Sequence, residues 1–543
     1  MAQILSIITT IIFHKKPKNM QTNRRQFIHQ LGLVGLGTTL FTPFSTDLFA
    51  KSRISLPRSK PEAQGIDSAG IMGFLDAIAK SKHEFHSLMI VRHGQVVAEG
   101  WWSPYRADAK HTLYSMSKSF TSTAIGFLVA EGKLKVSDKV VSFFPEYLPE
   151  NISEYLAALT IKDLLSMAVG NETEPSVRNE DNWVKAFLAW PIKNKPGSTF
   201  LYNSMATYMC SAIVQKVSGQ KLIDYLKPRL FVPLGIEGAD WEEDSSGINT
   251  GGWGLRVRTE DLAKFGQLYL QKGVWNGKQL IPKAWVEEAT SFKIQQPSPA
   301  KPSRPDAEND WLQGYCYQFW RCRHNAYRGD GAYGQYTIVM PDYDAVIAIT
   351  SETSNMQGIL DLVWEHLLPA MEPEPISTKG IFADALKQRM STLALLPLKG
   401  GATNVLNVAN KKFEIQPNSL KVSSIGIQFG KKGDFQCEIK NEIGTHLING
   451  GVEKWVLAET DLPRPNLVVS SKIKSPPSEK IAVSGTWKTN DTFEITIRYY
   501  ESTHTDFMLC QFGGDMITVS FDNSINRMSG AKDKRPVLKG KVV

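Results

Sequence analysis

The chain has 543 residues, of which 42% are hydrophobic and 21% charged, so it is long enough for several domains with large buried cores. Its 41 glycines and 28 prolines are near average usage, which excludes a collagen-like or low-complexity chain. The formal net charge of +8 comes partly from the two ends of the chain, and no interior basic run is interleaved with aromatic residues. Nucleic acid is therefore not a predicted partner.

Cysteine and histidine spacing give no sign of a disulfide framework or a metal site. The five cysteines are too sparse for a disulfide scaffold, so we expect free structural thiols. His83 and His86 are the nearest approach to a metal-binding pair, but a surface helix accounts for them because no third ligand lies nearby. We predict neither a metal nor another cofactor.

The first 50 residues have the layout of an export signal. Twin arginines within Asn23–Ile28 precede the apolar, glycine-rich run Leu31–Phe41, as in a twin-arginine signal peptide. Because the apolar stretch Ile4–Phe13 precedes the arginines, where such a signal does not need it, Met20 is an alternative start. The predicted location is periplasmic or secreted. An uncleaved membrane anchor and a basic amphipathic N-terminus of a cytoplasmic protein are the alternatives.

Residues 51–370 alternate between helical and strand-like patterns. Alternating apolar residues over Leu88–Ala98 predict a hairpin that turns at His93-Gly94. Helical periodicity predicts helices over Ser119–Glu131, Thr160–Met167, Met205–Val217 and Thr259–Gln271. Two strands are predicted over Gln335–Met340 and Ala345–Thr350, joined by the turn Pro341–Asp344. Strands at both ends with helices between them predict an α+β fold with one antiparallel sheet built from distant parts of the chain.

The composition changes after residue 370. Residues 371–398 are predicted to be a linker, with the segment Glu372–Pro375 followed by a connecting helix over Phe382–Leu393. Residues 399–543 contain short strand-like runs between turn residues, which predicts an all-β accessory domain. The sequence assigns this domain no function.

One glycine-rich motif has a plain structural interpretation. Gly329–Gly334 matches G-x-G-x-x-G, but a strand follows it instead of the helix that dinucleotide binding requires. A close backbone approach at the start of a strand explains these glycines. The sequence also contains no G-x-S-x-G elbow, so an α/β-hydrolase is not predicted.

Ser115 and Lys118 form an S-x-x-K pair at the start of a predicted helix. The same spacing also begins at Ser218, Ser298, Ser471 and Ser529. Only the Ser115 copy opens a long apolar helix, where residues three apart share a face. The helix N-terminus favours negative charge near Ser115, and burial would lower the pKa of Lys118 towards that of a usable base. A serine cap beside a solvated lysine is the alternative.

Two more segments extend this pair into a recognisable pattern. Pro196–Ser204 precedes a predicted helix, and Gly331–Tyr336 begins a predicted strand. In this order and spacing, residues 58–368 resemble the superfamily of serine β-lactamases and penicillin-binding proteins. Within it they resemble the class C-like branch, with family VIII carboxylesterases and 6-aminohexanoate-dimer hydrolases. The resemblance implies a β-lactamase/transpeptidase-like domain, with an antiparallel sheet flanked by helices and a helical subdomain.

The resemblance also implies catalytic roles. Ser115 would be the nucleophile, and Lys118, either neutral or sharing a proton with Tyr202, would take its proton as general base. Tyr202, at the family's Y-x-N tyrosine, would pass that proton to the leaving group. Backbone N–H groups of Ser115 and Ala332 would form the oxyanion hole, with Gly331 where the family's K-T-G glycine ends.

Two departures from the family pattern affect the predicted substrate. Asn203 and Ser204 are candidate substrate contacts, but Ser204 stands where the Y-x-N motif has its asparagine. Gly329–Gly331 replaces K-T-G and removes the cation that would face a substrate carboxylate. Arg328 either replaces that cation or is solvated, and an inward-pointing Asp330 would disfavour carboxylate substrates. Neutral esters or amides therefore rank above penicillins.

Together these features predict an exported serine hydrolase that cleaves a small ester or amide through an acyl-enzyme. Carboxylesterase or 6-aminohexanoate-oligomer amidase activity ranks first, and β-lactamase or D,D-peptidase activity is the alternative. A third hypothesis is a catalytically inactive protein of the same fold that binds a peptide or glycan. The presence of Ser115, Lys118 and Tyr202 together argues against it, since a binding protein does not need all three. Membrane association is expected only if the signal is uncleaved.

Overall fold

A computed structural model describes residues 54–377, 382–400, 411–474 and 476–543. The predicted export signal therefore lies outside the described residues. Residues from Ile54 to Val543 belong to one compact unit. None of the described helices combines the length and the hydropathy needed to cross a lipid bilayer.

The N-terminal domain contains the strands that precede residue 353 and the helices around them. Its strands are β1 (Glu84–Arg92), β2 (Gln95–Trp101), β3 (His111–Thr112), β4 (Asp240–Trp241), β5 (Glu243–Asp244), β6 (Leu255–Val257), β7 (Val274–Trp275), β8 (Lys278–Gln279), β9 (Trp320–Arg321), β10 (Tyr327–Gly331), β11 (Gln335–Met340) and β12 (Ala345–Glu352). Its helices are α1 (Ser68–Lys80), α2 (Ser117–Ala130), α3 (Glu154–Ala158), α4 (Ile161–Leu165), α5 (Trp183–Ala189), α6 (Ser204–Ser218), α7 (Leu222–Leu226), α8 (Val232–Leu234), α9 (Thr259–Leu270), α10 (Lys283–Thr290) and α11 (Met356–Leu362).

Six strands form the central antiparallel sheet in the order β2-β1-β12-β11-β10-β9. Early strand β1 pairs with late strand β12, with Ile90 opposite Ile347. His93 and Gly94 connect β1 to β2 with φ angles of 50° and 73°, the left-handed pair that a two-residue hairpin turn requires. The predicted hairpin and the predicted sheet built from distant parts of the chain are both confirmed.

The helices pack beside this sheet and follow the apolar periodicity of the sequence. The side chain of Phe120 in α2 is fully buried and stacks on Phe265 of α9, with ring centroids 4.0 Å apart. Burying such a side chain stabilises the fold by roughly 1.5–3 kcal/mol. Thr160 and Asp163 form a capping box at the start of α4, which ends at Leu165, two residues before its predicted end.

The described residues of the C-terminal domain form strands, as predicted, apart from one short helix. Its strands are β13 (Lys411–Ile415), β14 (Ser424–Phe429), β15 (Asp434–Lys440), β16 (Thr445–Val452), β17 (Val456–Thr460), β18 (Ile473–Lys474), β19 (Glu479–Trp487), β20 (Thr492–Tyr499), β21 (Thr505–Gly513), β22 (Met516–Asn523) and β23 (Leu538–Val542). Helix α12 (Ala383–Ser391) precedes them, where a connecting helix was predicted, and α13 (Ser524–Ser529) follows β22.

The sheet of the C-terminal domain closes on itself. Its order runs from β16 through β15, β14, β13, β23, β22, β21 and β20 to β19, and a parallel pairing of Gly451 with Ser484 joins β16 to β19. Apolar side chains such as Phe493 and Ile495 fill the interior. Because the sheet is closed, few of its strand edges are left unpaired. Contacts with neighbouring parts of the protein are then made mainly by the outer surface of the barrel and by its loops.

The two domains are in direct contact. Strand β18 pairs with β5 of the N-terminal domain, with Ile473 opposite Asp244. Arg256 of β6 lies 3.2 Å from the carboxylate of Glu479, and both side chains are buried. Strand pairing and this buried ion pair hold the C-terminal domain against the N-terminal domain.

All five cysteines are buried and free, as expected from their spacing. The expectation for His86 was wrong, because it lies in β1 and not on a surface helix. Its side chain is fully buried and stacks on Tyr105 with ring centroids 3.8 Å apart. Strand β1 is buried along nearly its whole length, so His86 lies inside the protein with its neighbours in the strand.

Candidate active site

Ser115 lies in a single 3-10 turn, Tyr114–Met116, that leads directly into α2. It is partly exposed although both of its neighbours in sequence are buried. The hydroxyl of Ser117 donates to the carbonyl oxygen of Tyr114 at 2.7 Å and so braces the turn from inside the helix. This geometry presents one hydroxyl to solvent at the N-terminus of a buried helix, where the helix dipole favours negative charge.

Lys118 lies one turn further along and points back at Ser115. Its amine nitrogen Nζ is 3.0 Å from Ser115 Oγ, 3.2 Å from Ser204 Oγ and 2.7 Å from the carbonyl oxygen of Gly252. A neutral amine has two N–H groups and one lone pair. If the N–H groups serve Gly252 and Ser204, the lone pair is left for the proton of Ser115.

Burial lowers the pKa of Lys118 far enough for its amine to act as a base. Its side chain is 1% exposed, and burial lowers the pKa of Lys118 to about 7. The charge of Glu174 opposes this shift in pKa, whereas the charge of Arg178 adds to it. The predicted alternative of a solvated lysine is wrong for this copy of the motif.

Tyr202 lies over the Lys118 amine. Its ring centroid is 4.8 Å from Lys118 Nζ, and the ring stacks on Trp320 with centroids 5.5 Å apart. Burial raises the pKa of the Tyr202 hydroxyl, and a hydrogen bond with Ser115 acts in the opposite direction. The predicted trio of Ser115, Lys118 and Tyr202 is thus brought together, with the tyrosine in its neutral form.

Ser204 and Asn203 have different surroundings. Ser204 accepts a hydrogen bond from Lys118 and takes part in the cluster. Asn203 is fully buried, where its side chain caps α6 at the N–H of Ala206 and donates to Asn171. The interpretation of Asn203 as a substrate contact was therefore wrong, because its amide is already used inside the protein.

The end of strand β10 lies against the turn that carries Ser115. A Cβ atom on Gly331 would be only 2.0 Å from the carbonyl oxygen of Leu113, and one on Gly329 only 2.1 Å from Met116 Sδ. At Gly331 the opposing atom belongs to the backbone, so only glycine allows this approach there, whereas at Gly329 the opposing atoms belong to the flexible Met116 side chain. Gly329 and Gly331 lie at the end of β10, which the prediction did not include, whereas Gly334 directly precedes β11, at the strand start that was predicted. Because Ala332 follows Gly331, this contact places Ala332 close to the turn that carries Ser115.

Arg328 and Asp330 form an ion pair beneath the site, with 2.9 Å between Nε and Oδ2. Arg328 is fully buried, and its guanidinium lies 4.3 Å from the ring centroid of Trp311. It is therefore not solvated, and its charge is already matched. Burial raises the pKa of Asp330, although the charges of Arg328 and Lys118 oppose the shift.

Sequence reasoning missed several residues around this cluster. Glu174 forms an ion pair with Arg178 at 2.9 Å and accepts the backbone N–H of Ser204, also at 2.9 Å. Their spacing of four residues was an available signal. Trp320 and Tyr315 form the aromatic wall beside Tyr202. The dense aromatic run over residues 311–320 was the signal for that wall.

A separate buried cluster lies between the two domains. Ligand atoms of Glu84, His86 and Glu352 lie within 4.8 Å of one another, a spacing that metal sites share. Arg498 is paired with Glu84 at 2.5 Å, and His86 Nδ1 lies 2.9 Å from a ring nitrogen of His111. These groups are therefore already partnered within the protein, in keeping with a buried polar network.

Comparison with known proteins places most of the N-terminal domain in a known family. The family model for the beta-lactamase domain matches residues 80–366. A 6-aminohexanoate-dimer hydrolase from Paenarthrobacter ureafaciens is 24% identical over 282 residues, which are 48% of this chain and 71% of the relative. Protein flp from Staphylococcus aureus strain MRSA252 is 26% identical over 176 residues, 30% of this chain and 35% of that relative.

Among solved structures, a penicillin-binding protein homologue from Caulobacter crescentus is 16% identical. The match covers 57% of this chain and 99% of that one, with a TM-score of 0.46. The family model spans more than half of the chain and includes the turn, helix and strands that form the site. The chain therefore belongs to the beta-lactamase family of serine hydrolases, within the superfamily of serine β-lactamases and penicillin-binding proteins.

Proposed function

We propose that this protein is an exported hydrolase that cleaves neutral esters or amides through an acyl-enzyme on Ser115. The observation that carries the proposal is the 3.0 Å contact between Lys118 Nζ and Ser115 Oγ, made by a lysine whose pKa burial lowers to about 7. A lysine with that pKa is substantially neutral at physiological pH and is able to accept a proton.

In the first step, Lys118 takes the proton of Ser115 while Oγ forms a bond to the substrate carbonyl carbon. The negative charge that develops on the carbonyl oxygen is met by the backbone N–H groups of Ser115 and Ala332. The proton then passes through Tyr202 to the leaving amine or alkoxide as its bond to carbon breaks. In the second half of the cycle, water gives a proton to the neutral Lys118 and forms a bond to the acyl carbon. The bond from that carbon to Ser115 Oγ then breaks, Oγ takes the proton back from Lys118, and the carboxylic acid leaves.

The preference for neutral substrates rests on the charge balance of the site. The Arg328 guanidinium is buried and paired with Asp330, so it does not replace the lost K-T-G cation. Arg178 is likewise paired with Glu174. A substrate carboxylate would find no uncompensated cation among these residues, which ranks esters and linear amides above penicillins and D,D-peptides. The relative named as a 6-aminohexanoate-dimer hydrolase supports the inclusion of amides.

Export is proposed from the layout of the first 50 residues alone. Replacing Arg24 and Arg25 with lysine should leave the protein inside producing cells, as judged by fractionation with an antibody against the C-terminus. Unchanged release into the periplasm or medium would contradict a twin-arginine route.

The catalytic proposal is tested by treating the protein with an alkyl fluorophosphonate, followed by intact-mass analysis and peptide mapping. We expect one adduct, on Ser115, and a large loss of labelling in Lys118→Ala. Ser529→Ala is the matched control, because Ser529 has the same S-x-x-K spacing but is exposed. No adduct on a folded sample would instead favour the hypothesis of an inactive binding protein.

A panel of short-chain esters, linear amides, a penicillin and a D-Ala-D-Ala peptide then ranks the substrates. Faster turnover of neutral esters or amides supports the charge argument. Preferential turnover of the carboxylate-bearing compounds would favour β-lactamase or D,D-peptidase activity.

A further inference from the structure

We propose that His504 of the C-terminal domain is a positioning residue for the oxyanion hole. It would act by fixing the backbone on both sides of the hole, through Tyr114 and Tyr333. This inference rests on the proposed function of Ser115, and it gives the C-terminal domain a role in catalysis.

His504 is fully buried and is held from both ring nitrogens. Its Nε2 lies 2.6 Å from the hydroxyl of Tyr114, and its Nδ1 lies 2.5 Å from a carboxylate oxygen of Glu352. Glu352 ends strand β12 of the central sheet and also accepts the hydroxyl of Ser524 at 2.5 Å. The imidazole therefore connects the central sheet to the turn that carries the nucleophile.

The carboxylate of Glu352 determines which group donates in each hydrogen bond of His504. If Glu352 is ionised it only accepts, so the tautomer that satisfies both contacts carries its proton on Nδ1. Nε2 is then an acceptor, and the Tyr114 hydroxyl donates to it. The backbone N–H of Leu467, also from the C-terminal domain, approaches the same hydroxyl oxygen at 3.4 Å. Tyr114 is thereby oriented from the C-terminal domain.

Tyr114 and Tyr333 are the sequence neighbours of the two oxyanion donors. Tyr114 immediately precedes Ser115, and Tyr333 immediately follows Ala332. Their rings contact each other with centroids 5.8 Å apart, and the Tyr333 ring meets His504 edge to face at 4.7 Å. One imidazole therefore contacts the neighbours of both N–H groups that would stabilise the oxyanion.

Both tyrosines have left-handed backbone conformations that need support. Their φ angles are 46° for Tyr114 and 65° for Tyr333, values that are uncommon for a bulky residue. Such conformations cost of order 1–3 kcal/mol each and persist where the surroundings hold them. His504 supplies part of that hold through the hydrogen bond to Tyr114 and the ring contact with Tyr333.

The consequence is a catalytic effect without contact with substrate. If the Tyr114 turn relaxes, the Ser115 N–H rotates away from the developing oxyanion, although Ser115 Oγ and Lys118 remain close. Loss of a whole oxyanion donor slows catalysis about 10²–10³-fold. Misplacement of a donor that is still present should slow it less, by about 10-fold to 100-fold.

The test compares four variants of the full chain by kcat and KM on a short-chain p-nitrophenyl ester. Tyr114→Phe removes only the hydroxyl, His504→Leu removes both hydrogen bonds, and His504→Gln restores a polar partner. His446→Leu is the matched control, because His446 is also buried in the C-terminal domain and paired with a carboxylate, Asp461 at 2.6 Å.

We expect kcat to fall about 10-fold to 100-fold in Tyr114→Phe and His504→Leu, with KM changed less than about 3-fold. His504→Gln should recover part of kcat, and His446→Leu should match the wild type in kcat despite lower thermal stability. Equal loss of kcat in His446→Leu would mean that general destabilisation explains the effect, and this would overturn the proposal.

Other results separate this inference from the proposed function. Unchanged kcat in Tyr114→Phe and His504→Leu, with an active wild type labelled on Ser115, overturns the role of His504 alone. An unlabelled and inactive wild type overturns both. If His504→Leu does not fold, Tyr114→Phe decides the matter, because phenylalanine keeps the ring contacts.

Discussion

The Lys118 amine nitrogen lies 2.7 Å from the carbonyl oxygen of Gly252, a residue from a distant segment of the chain. A carbonyl only accepts hydrogen bonds, so this contact fixes the direction of one N–H of the amine. A Cβ on Gly252 would lie only 2.8 Å from the carbonyl oxygen of Ser204, so a side chain there would force the Gly252 segment, and with it this carbonyl group, to move. The orientation of the base therefore depends on a backbone carbonyl and on the absence of a side chain beside it.

Replacing Ser115 with alanine should abolish turnover while leaving the free energy of unfolding within about 1 kcal/mol of the wild type. Ser115 is partly exposed, so the change leaves little space in the core. Turnover is measured with a p-nitrophenyl ester and stability by urea denaturation. Turnover equal to that of the wild type would rule out the acyl-enzyme on Ser115.

The pH dependence of kcat/KM should show a rising limb with a midpoint near pH 7. Lys118 must be neutral to accept the proton, and burial lowers its pKa to about 7. Activity should therefore be lost as the pH falls below that value and should level off above it. A flat profile between pH 5 and 8 on a substrate whose acylation limits the rate would exclude Lys118 as the base.

Two charge variants should move this limb in opposite directions. The charge of Arg178 lowers the pKa of Lys118, so Arg178→Gln should shift the midpoint to higher pH. The charge of Glu174 raises that pKa, so Glu174→Gln should shift the midpoint to lower pH. The double variant is the internal control and should shift it less than either single change. Shifts of the same sign in both single variants would contradict the electrostatic explanation.

Replacing Tyr202 with phenylalanine should lower kcat by about 10²-fold or more on an amide or alkyl ester, because a positioned proton donor contributes 10²–10⁴-fold. The loss should be smaller on a p-nitrophenyl ester, whose leaving group needs no proton. The ring still stacks on Trp320, so the melting temperature should change little. Equal losses on the two substrate types would contradict proton delivery by Tyr202.

Replacing Gly331 with alanine should reduce both activity and stability, since its Cβ would meet the Leu113 carbonyl oxygen at 2.0 Å. The end of β10 must then move away from the turn that carries Ser115, at a cost of roughly 1–3 kcal/mol. Gly513→Ala is the control, because nothing lies within 4 Å of a Cβ at that strand position. Wild-type activity in Gly331→Ala would show that this close approach does not matter for catalysis.

The parts of the site that follow one another in the sequence were predictable. Ser115 and Lys118 share a helix face because of local periodicity, and the order of motifs along the chain pointed to Tyr202. The sequence could not decide whether Arg328 is solvated or faces the substrate. In the structure it is buried and forms an ion pair with Asp330, and nothing in the sequence of this short strand indicates that burial.

The contacts that cross the chain left no such pattern. The hydrogen bond between Tyr114 and His504 joins residues 390 positions apart, so no local period indicates it. Asn203 was misassigned for a related reason: a helix cap and a substrate contact require the same amide, and only burial distinguishes the two. Tertiary packing determined these roles.

The pairing of β1 with β12 has a consequence for when this enzyme becomes active during synthesis. Strand β1 leaves the ribosome early, but its sheet partner and the residues that surround the Tyr114 turn are made much later. The first strands must wait for distant partners, which makes folding slow and leaves apolar surface exposed meanwhile. A partly made chain therefore holds its serine without an assembled site, because β12 and His504, which contacts the Tyr114 turn, both come later in the chain.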